Sequence, residues 1–282
     1  MKIISTKKTL KQVGNVFGLI LLIFGAVIML FPFSWMILTS FKTGPESVAS
    51  PPTWIPHDGW YPSNFPEVFA AAPFGRYFLN TFIVSISATV LTLLLTIFAA
   101  YALSLHPFKG SKVVLTFFIA TMMIPEEILI IQNYVTIARM GLMDTFLGII
   151  LPGIASGMYI YMLRETFMQF PTALVKAAKV DGCTERKFLW RILLPNCVST
   201  LSTIGILTFI GSWNNFLWPL MVTNYDSHRV LTIGLMQFNT GASSRINLQM
   251  AGATVIVLPI IALYLVFRKQ IIKGVASGGV KG

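Results

Sequence analysis

Charged residues are scarce in this chain. Asp, Glu, Lys and Arg make up 11% of its 282 residues, whereas hydrophobic residues make up 55% and the mean hydropathy is +0.75. A soluble globular domain carries about 25% charged residues, so this composition excludes an ordinary water-soluble fold. Cysteine and histidine are scarce as well: Cys183 and Cys197 form no CxxC pair and the histidines are scattered. The sequence therefore predicts neither a metal site nor a disulfide framework.

The charges that are present are unequal in sign. Lys and Arg number 21 against 10 Asp and Glu, which gives a formal net charge of +11. A nucleic-acid-binding protein would gather its basic residues on one soluble surface. Here they lie between long apolar runs, which favours the positive-inside distribution of a membrane protein. We therefore expect contact with membrane lipid and no nucleic-acid partner.

Six apolar stretches are long enough to cross a membrane, since a helical span needs about 20 apolar residues. The sequence predicts an all-α membrane protein with spans at residues 16–41, 77–103, 113–133, 145–167, 201–223 and 248–267. The first stretch follows a basic segment, but it is too long for the core of a signal peptide. We interpret it as a retained first span.

The basic residues also predict the orientation. Sixteen Lys and Arg residues fall on one side of the predicted spans and five on the other. By the positive-inside rule, the first side is the cytoplasm. Both ends of the chain, residues 1–15 and 269–282, are then cytoplasmic, and residues 42–76 form an extracytoplasmic loop rich in proline and tryptophan.

The segment between the fourth and fifth spans, residues 171–195, has the signals of two short helices. Pro171 suits a first helical turn, and Gly182 permits the left-handed turn that ends a helix. Thr184 is a good N-cap for a second helix, and Pro195 marks its end. Such a hairpin either fits a groove of a cytoplasmic partner or lies in the lipid headgroups, held there by its basic residues.

At this hairpin the chain resembles a known family. The run from Ala177 to Gly182 (AAKVDG), followed by Ile192 to Pro195 (ILLP), is similar to the coupling motif of permease subunits in binding-protein-dependent ABC importers. Other motifs resemble the shorter permease of the maltose type of carbohydrate importer. They are Asn80-Thr81, Met123 to Glu126, Gly148 to Pro152, Leu163-Arg164, Ser212 to Pro219 and Gly278 to Gly282.

The resemblance implies a type I ABC importer transmembrane domain over residues 77–268 and a place in a bacterial plasma membrane. The implied partners are a second permease subunit, two copies of an ATP-binding subunit and an extracytoplasmic solute-binding protein. The implied cargo is a sugar or oligosaccharide, with glycerol-phosphate or another small polar solute as the alternative.

The chain has no GxxxxGK[ST] phosphate loop, so we expect no ATPase site, no catalytic residue and no cofactor in it; the partner subunits use the ATP. An ion-driven secondary transporter would show inverted repeats. A membrane-embedded enzyme would show clustered His, Asp or Ser within the spans. Neither pattern is apparent in the sequence.

The resemblance also assigns residues that couple the chain to the ATPase. They are Lys176, Ala177, Ala178, Asp181, Gly182, Ile192 and Pro195. Lys176 departs from the family, which usually has a glutamate at this position. Because a lysine would face the family's basic residue with like charge, we predict an acidic residue of the ATPase opposite Lys176.

A second group of residues is predicted to line the substrate pathway. Glu126 lies inside the third predicted span, where an ionised side chain is costly and usually functional; alternatively, Pro125 ends the helix and leaves the acid in water. Trp213, Asn214 and Asn215 combine an aromatic face with amides, which suits a sugar. The alternative for the tryptophan is an ordinary interfacial anchor.

Two further expectations rest on the resemblance. The loop from Gly241 to Arg245 would enter the cleft of the docked binding protein, or it is a solvated turn. The tail from Lys273 to Gly282 would reach the ATPase, or it is a frayed terminus.

Overall fold

A computed structural model describes the backbone of residues 2–106, 108–240 and 243–279, and the side chains of residues 16–106, 108–238 and 245–268. The described part is helical apart from its loops and one small β-hairpin, as predicted. The α-helices are Lys2–Thr39 (α1), Gly44–Ser47 (α2), Asn64–Ala71 (α3), Phe74–Ser104 (α4), Ser111–Thr121 (α5), Ile130–Arg139 (α6), Phe146–Ile150 (α7), Gly157–Met168 (α8), Thr172–Val180 (α9), Glu185–Phe188 (α10), Leu194–Asn196 (α11), Val198–Asn214 (α12), Leu217–Val222 (α13), Leu231–Gly234 (α14) and Ile246–Gly279 (α15).

Shorter elements connect these helices. The 3₁₀ helices are Glu126–Leu129, Leu151–Gly153 and Leu235–Phe238, and a π-helix spans Leu189–Leu193. The antiparallel strands Asn239–Thr240 (β1) and Ser243–Ser244 (β2) pair Asn239 with Ser244 and Thr240 with Ser243.

The chain divides into two compact units. The first contains residues 1–72 and 235–258, and the second contains residues 73–234 and 259–282. The long helix α15 begins in the first unit and ends in the second.

In the first unit, α1 exposes its apolar surface. Its segment Val16–Thr39 has a mean hydropathy of 2.8, and none of its most apolar window is buried. The loop that follows is ordered around Lys42, which is only 1% exposed. Its ammonium donates to the Thr53 carbonyl and lies 4.4 Å from the centre of the Trp35 ring. Such a cation over an indole ring is favourable when water is excluded.

The second unit is built around α4, which packs most extensively against α12 and α8. The buried face of α4 carries small side chains, among them Ser85, Ala88, Thr92, Thr96 and Ala100. Small residues at this spacing let helix backbones approach closely, as they do in membrane bundles. Two apolar cores form along the helix, one near its start around Val84 and one near its end around Ile97.

Three helices are long and apolar enough to span a membrane: Val16–Thr39, Phe74–Ser104 and Ile246–Arg268. Three more spans result only if bent helix pairs each count as one, which brings the described total to six. The third and fourth predicted spans are therefore not the continuous helices that the hydropathy indicates. The pair formed by Ser111–Thr121 and Glu126–Arg139 bends by 93°, and the pair formed by Phe146–Gly153 and Gly157–Met168 bends by 54°.

Proline explains the first of these breaks. Pro125 has no N–H, and its ring cannot follow a regular helical turn. The α-helix accordingly ends at Thr121, and Pro125 caps the 3₁₀ turn that begins at Glu126. The 11 residues of α5 rise about 16 Å, which is too short to cross a hydrocarbon layer of about 30 Å.

The third bent pair joins Glu185–Asn196 to Val198–Asn214 at 81°. The first arm carries Glu185, Arg186, Lys187 and Arg191, and charged residues are rare inside a span. The 81° bend therefore separates a charged arm from the apolar helix α12.

Candidate functional site

The hairpin formed by α9 and α10 has the predicted turn, and its hydrogen bonds explain the roles of the residues there. Gly182 has φ +65°, a conformation that favours glycine. The Cys183 N–H donates to the Ala178 carbonyl at 2.9 Å, and the Gly182 N–H donates to the Lys179 carbonyl at 3.1 Å. This pair of bonds is a Schellman motif, which satisfies the last carbonyls of a helix. Thr184 Oγ1 then accepts from the Lys187 N–H and caps α10.

The second arm of the hairpin ends one residue beyond Pro195. Because proline lacks an N–H, the regular α-helical pattern cannot continue through it. The preceding residues adopt a π-helix, in which the Leu194 N–H reaches the Leu189 carbonyl. The Asn196 side chain donates to the Ile192 carbonyl at 2.6 Å, which supplies a partner near the break. The chain then bends at Cys197, which separates α11 from α12.

The two sides of α9 differ in burial. Ala178 is 7% exposed and packs in the core that contains Phe167, Phe188 and Leu193. The opposite side of the helix is exposed along its whole length. That side carries Ala173, Lys176, Ala177 and Val180, and we call it the outer stripe.

The other predicted coupling residues lie on the same hairpin. Asp181 is exposed at the C-terminal end of α9, and Ile192 is partly buried against the core. Pro195 is exposed in the last turn. The hairpin thus brings all seven predicted residues into one short segment, with Ala178 and Ile192 facing the core.

A polar cluster that the sequence did not reveal joins the hairpin to α4. Tyr101 Oη donates to Glu185 Oε2, and His106 Nε2 lies 3.1 Å from the same oxygen. The Tyr101 and His106 rings also contact each other, with centroids 4.9 Å apart. We call these three residues the latch. Glu185 is separated from its partners by 84 and 79 residues, so no local spacing indicates the cluster.

The contacts within the latch change the pKa of the Glu185 carboxyl. The hydrogen bond from Tyr101 lowers the pKa of Glu185 below its ordinary value of 4.5 and outweighs the opposing effect of burial. The nearby His106 and Lys179 act in the same direction as Tyr101. Glu185 also lies in the first turn of α10, where the helix dipole favours a negative charge.

The start of α4 holds a different segment, the loop after α13. Asn80 Nδ2 donates to the carbonyls of Ser227 and Arg229, both at 2.9 Å. Thr81 Oγ1 accepts from the Leu231 N–H at 2.7 Å, and Tyr77 Oη donates to Asp226 Oδ1 at 2.6 Å. We call Tyr77, Asn80 and Thr81 the loop anchor.

The same loop is held on its other flank by Asp144. This residue has φ +56° and accepts from the Asn224 side chain at 3.0 Å and from the Tyr225 N–H at 3.1 Å. Burial raises the pKa of the Asp144 carboxyl, but the hydrogen bonds from Asn224 and Tyr225 outweigh it and hold the pKa below its usual range.

The predicted substrate-pathway residues occupy different environments. Glu126 is exposed in the 3₁₀ turn after Pro125, so the acid does not lie inside a regular span. Trp213 is 1% exposed, stacks on Phe209 at 5.5 Å and meets the edge of Phe78 at 5.6 Å. Its aromatic face is therefore part of the packing within this chain.

The two amides beside that tryptophan are more accessible. Asn214 is exposed, and Asn215 is partly buried with its carbonyl accepting from Thr232 Oγ1 at 2.8 Å. Trp218 is 8% exposed and donates from Nε1 to the carbonyls of Gly148 and Ile149, both at 3.2 Å. The indole N–H of this tryptophan is therefore paired within the chain.

The remaining expectations fall partly outside the described residues. Gly241 and Ala242, in the loop predicted to enter the binding protein, lie outside the described residues. The side chains of the tail from Lys273 and the backbone of its last three residues lie outside them as well. At the end of that loop, Arg245 Nη2 forms an ion pair with Glu67 Oε1 at 2.7 Å.

Residues 92–276 match the family described as "Binding-protein-dependent transport system inner membrane component". The arabinooligosaccharides transport system permease protein AraQ of Halalkalibacterium halodurans is 33% identical over 265 residues, which cover 92% of this chain and 94% of that protein. The sn-glycerol-3-phosphate transport system permease protein UgpE of Yersinia pestis is 28% identical over 271 residues, which cover 93% of this chain and 96% of that protein.

A solved structure shares the fold. It is the crystal structure of a bacterial ABC transporter involved in the import of the acidic polysaccharide alginate. One of its chains superposes with a TM-score of 0.81 at 21% sequence identity, covering 92% of this chain and 97% of that one.

Proposed function

Because the chain belongs to the family of inner membrane components of binding-protein-dependent transport systems, we propose that it is one of two permease subunits of an ABC importer for a sugar or oligosaccharide. Two ATP-binding subunits and an extracytoplasmic solute-binding protein complete the assembly. The chain itself carries the coupling hairpin and part of the pathway, and it has no ATPase site of its own.

The observation that supports this proposal most strongly is the asymmetry of α9. One side is packed into the core through Ala178, while the outer stripe from Ala173 to Val180 is exposed, with Val180 at 87%. Small side chains such as Ala173 and Ala177 allow another surface to approach the helix backbone closely. An amphipathic helix of this kind fits a groove in a partner.

The hairpin is also suited to transmit motion. The Schellman turn and the Thr184 cap fix the angle between its two arms, and the core holds the arms against α4 and α8. When the ATP-binding subunits close, the hairpin moves with them and tilts the packed helices. Alternating access requires such a two-state element.

The cargo follows from the relatives. AraQ is described as a transporter of arabinooligosaccharides and UgpE as one of sn-glycerol-3-phosphate, so glycerol-phosphate or another small polar solute is the alternative. Within this chain, Glu126 and Asn214 are the exposed candidates for contact with the cargo, and Asn215 is partly accessible. Trp213 supports them from the core rather than touching the cargo.

Lys176 defines the chemistry of the ATPase surface. It is exposed at the centre of the outer stripe, so its ammonium faces the partner directly. An acidic residue there provides a complementary charge, whereas a basic residue would repel it. A Lys176→Glu variant should therefore lose the ATP-binding subunit on purification, and a Lys176→Gln variant should keep part of it. Full retention with Lys176→Glu would rule out an acidic partner.

The first test of the proposed function is co-purification of the tagged chain from its native membrane, in wild type and in two variants of Gly182. Gly182→Pro forces φ to about −65°, opposite in sign to the observed +65°, and should destroy the hairpin turn. Gly182→Asn is the matched control, because asparagine tolerates the left-handed conformation.

An ATP-binding subunit and a second permease should accompany the wild type and Gly182→Asn but not Gly182→Pro. Recovery of this chain alone from all three, in a detergent that keeps known importers whole, would overturn the importer proposal.

A further inference from the structure

The latch brings three elements to one atom. Tyr101 comes from the last turn of α4, His106 from the segment that follows α4, and Glu185 from the first turn of α10. The Tyr101 hydroxyl and His106 Nε2 both contact Glu185 Oε2, and the centroids of the Tyr101 and His106 rings are 4.9 Å apart. The hairpin is thereby connected to the end of α4 by directional bonds and not by apolar contact alone.

The latch residues also line a small pocket of about 20 Å³ between the hairpin and the end of α4, together with Leu105 and Val175. Apolar contact is non-directional, whereas a hydrogen bond requires a defined distance and angle. The core holds the hairpin against α4, and the latch adds hydrogen bonds that constrain the angle between them.

The latch contributes little to the overall stability of the fold. The side chains of His106 and Glu185 are 41% and 54% exposed, and contacts between exposed side chains of this kind stabilise proteins only weakly. A directional contact that adds little stability is suited to setting a position.

We propose that Tyr101 and His106 are positioning residues that hold the hairpin to α4 through Glu185, so that the hairpin and α4 move as one body. This inference rests on the proposed function for its role in transport. The position of the hairpin in the isolated chain does not depend on that function, and the two can be tested separately.

The test measures a distance between two spin labels, at Thr172→Cys on α9 and Leu95→Cys on α4, two exposed positions. Cys183→Ser and Cys197→Ala remove the native thiols. The chain alone is placed in lipid nanodiscs. The parent should give one narrow distance distribution, whereas added Glu185→Ala or Tyr101→Phe should broaden it or produce a second population.

Two control variants separate positioning from a general loss of structure. Glu185→Gln retains an oxygen that accepts from Tyr101, so it should largely restore the narrow distribution. Arg186→Ala removes the next side chain of α10, which is not in the latch, and should match the parent. The same narrow distribution in the parent, Glu185→Ala and Tyr101→Phe would overturn the proposal, because apolar packing alone would then position the hairpin.

A second measurement uses the co-purified assembly, compared without nucleotide and trapped with ATP and vanadate. The distance between the labels should stay constant in the parent, because the hairpin and α4 move together. A nucleotide-dependent change would overturn the one-body proposal. If no ATP-binding subunit co-purifies, the importer proposal fails, while the distances in the isolated chain still decide whether the latch sets the hairpin position.

Discussion

The two ends of α4 hold their neighbours in different ways. At the start of the helix, the loop anchor is buried: Tyr77, Asn80 and Thr81 are at most 4% exposed, and Asn80 and Thr81 bond to backbone groups. At the other end, the latch joins the partly buried Tyr101 to the more exposed side chains of His106 and Glu185. One helix therefore fixes a loop through buried bonds at one end and holds the α9–α10 hairpin through more exposed bonds at the other.

The difference has a physical basis. A buried donor or acceptor that loses its partner cannot turn to water, so breaking such a bond costs about 1–3 kcal/mol. An exposed group exchanges its protein partner for water at little cost. The comparison predicts that changes in the loop anchor lower stability, whereas changes in the latch alter the hairpin position.

The largest effect is expected for Asn80→Leu. Leucine has a similar volume, but it leaves the carbonyls of Ser227 and Arg229 without their amide donor. We expect a loss of about 2 kcal/mol, measured as a lower midpoint of thermal unfolding in detergent. Asn214→Leu, at an exposed asparagine, should change stability by less than about 0.5 kcal/mol. Equal effects of the two variants would remove the distinction between buried and exposed bonds.

Thr81→Val should have the next largest effect. Valine keeps the branched shape but removes the oxygen that accepts from the Leu231 N–H and donates to the Tyr77 carbonyl, each at 2.7 Å. An unpaired N–H at this buried position costs about 1.5 kcal/mol. Thr89→Val is the matched control, because Thr89 donates to the Ser85 carbonyl within the same helix. A loss for Thr89→Val as large as for Thr81→Val would contradict the role of the anchor.

The same comparison separates what the sequence could predict from what it could not. The hairpin turn was predictable because Gly182, Thr184 and Pro195 each determine the conformation or hydrogen bonding of the backbone within a few residues. The latch was not, because it joins residues that are 79 to 84 positions apart. Such a contact depends on how α4 and the hairpin pack, and the pattern of single residues does not encode that packing.

The helix breaks show a second limit of hydropathy. Residues 113–133 are apolar enough for a span, yet the chain bends by 93° between α5 and α6. Hydropathy measures how readily side chains move from water into an apolar phase. It does not register the backbone hydrogen bond that is lost because Pro125 has no N–H.

The position of Trp213 could not be predicted either. The spacing of residues along a helix does not distinguish an indole packed on Phe209 and Phe78 from one that faces a ligand. The prediction that Glu126, Trp213, Asn214 and Asn215 line the substrate pathway stays a prediction.

Tyr101→Phe should have a small effect on stability. The variant keeps the ring that contacts His106 and removes only the hydroxyl that donates to the exposed Glu185 carboxylate. We expect a change within about 0.5 kcal/mol by the same thermal unfolding measurement, although the label distances should broaden. A loss of stability as large as that of Asn80→Leu would show that the latch, like the loop anchor, is part of the rigid core.

The smallest effect on the hairpin position is expected from a change in pH. The latch contains a carboxylate whose pKa is lowered below its ordinary value of 4.5, mainly by Tyr101, with His106 and Lys179 also facing it. A lowered pKa means that the stabilising contribution is complete above the ordinary value and is lost as the pH falls through the folded-state pKa. The narrow label distribution should therefore persist at neutral pH and broaden only below about pH 4.5. Glu185→Gln has no carboxyl to protonate and should show no such broadening. Broadening in both would locate the acid-sensitive group outside the latch. Asn80 and Thr81 do not titrate, so their bonds to the loop should survive in the same acidic range in which the latch opens.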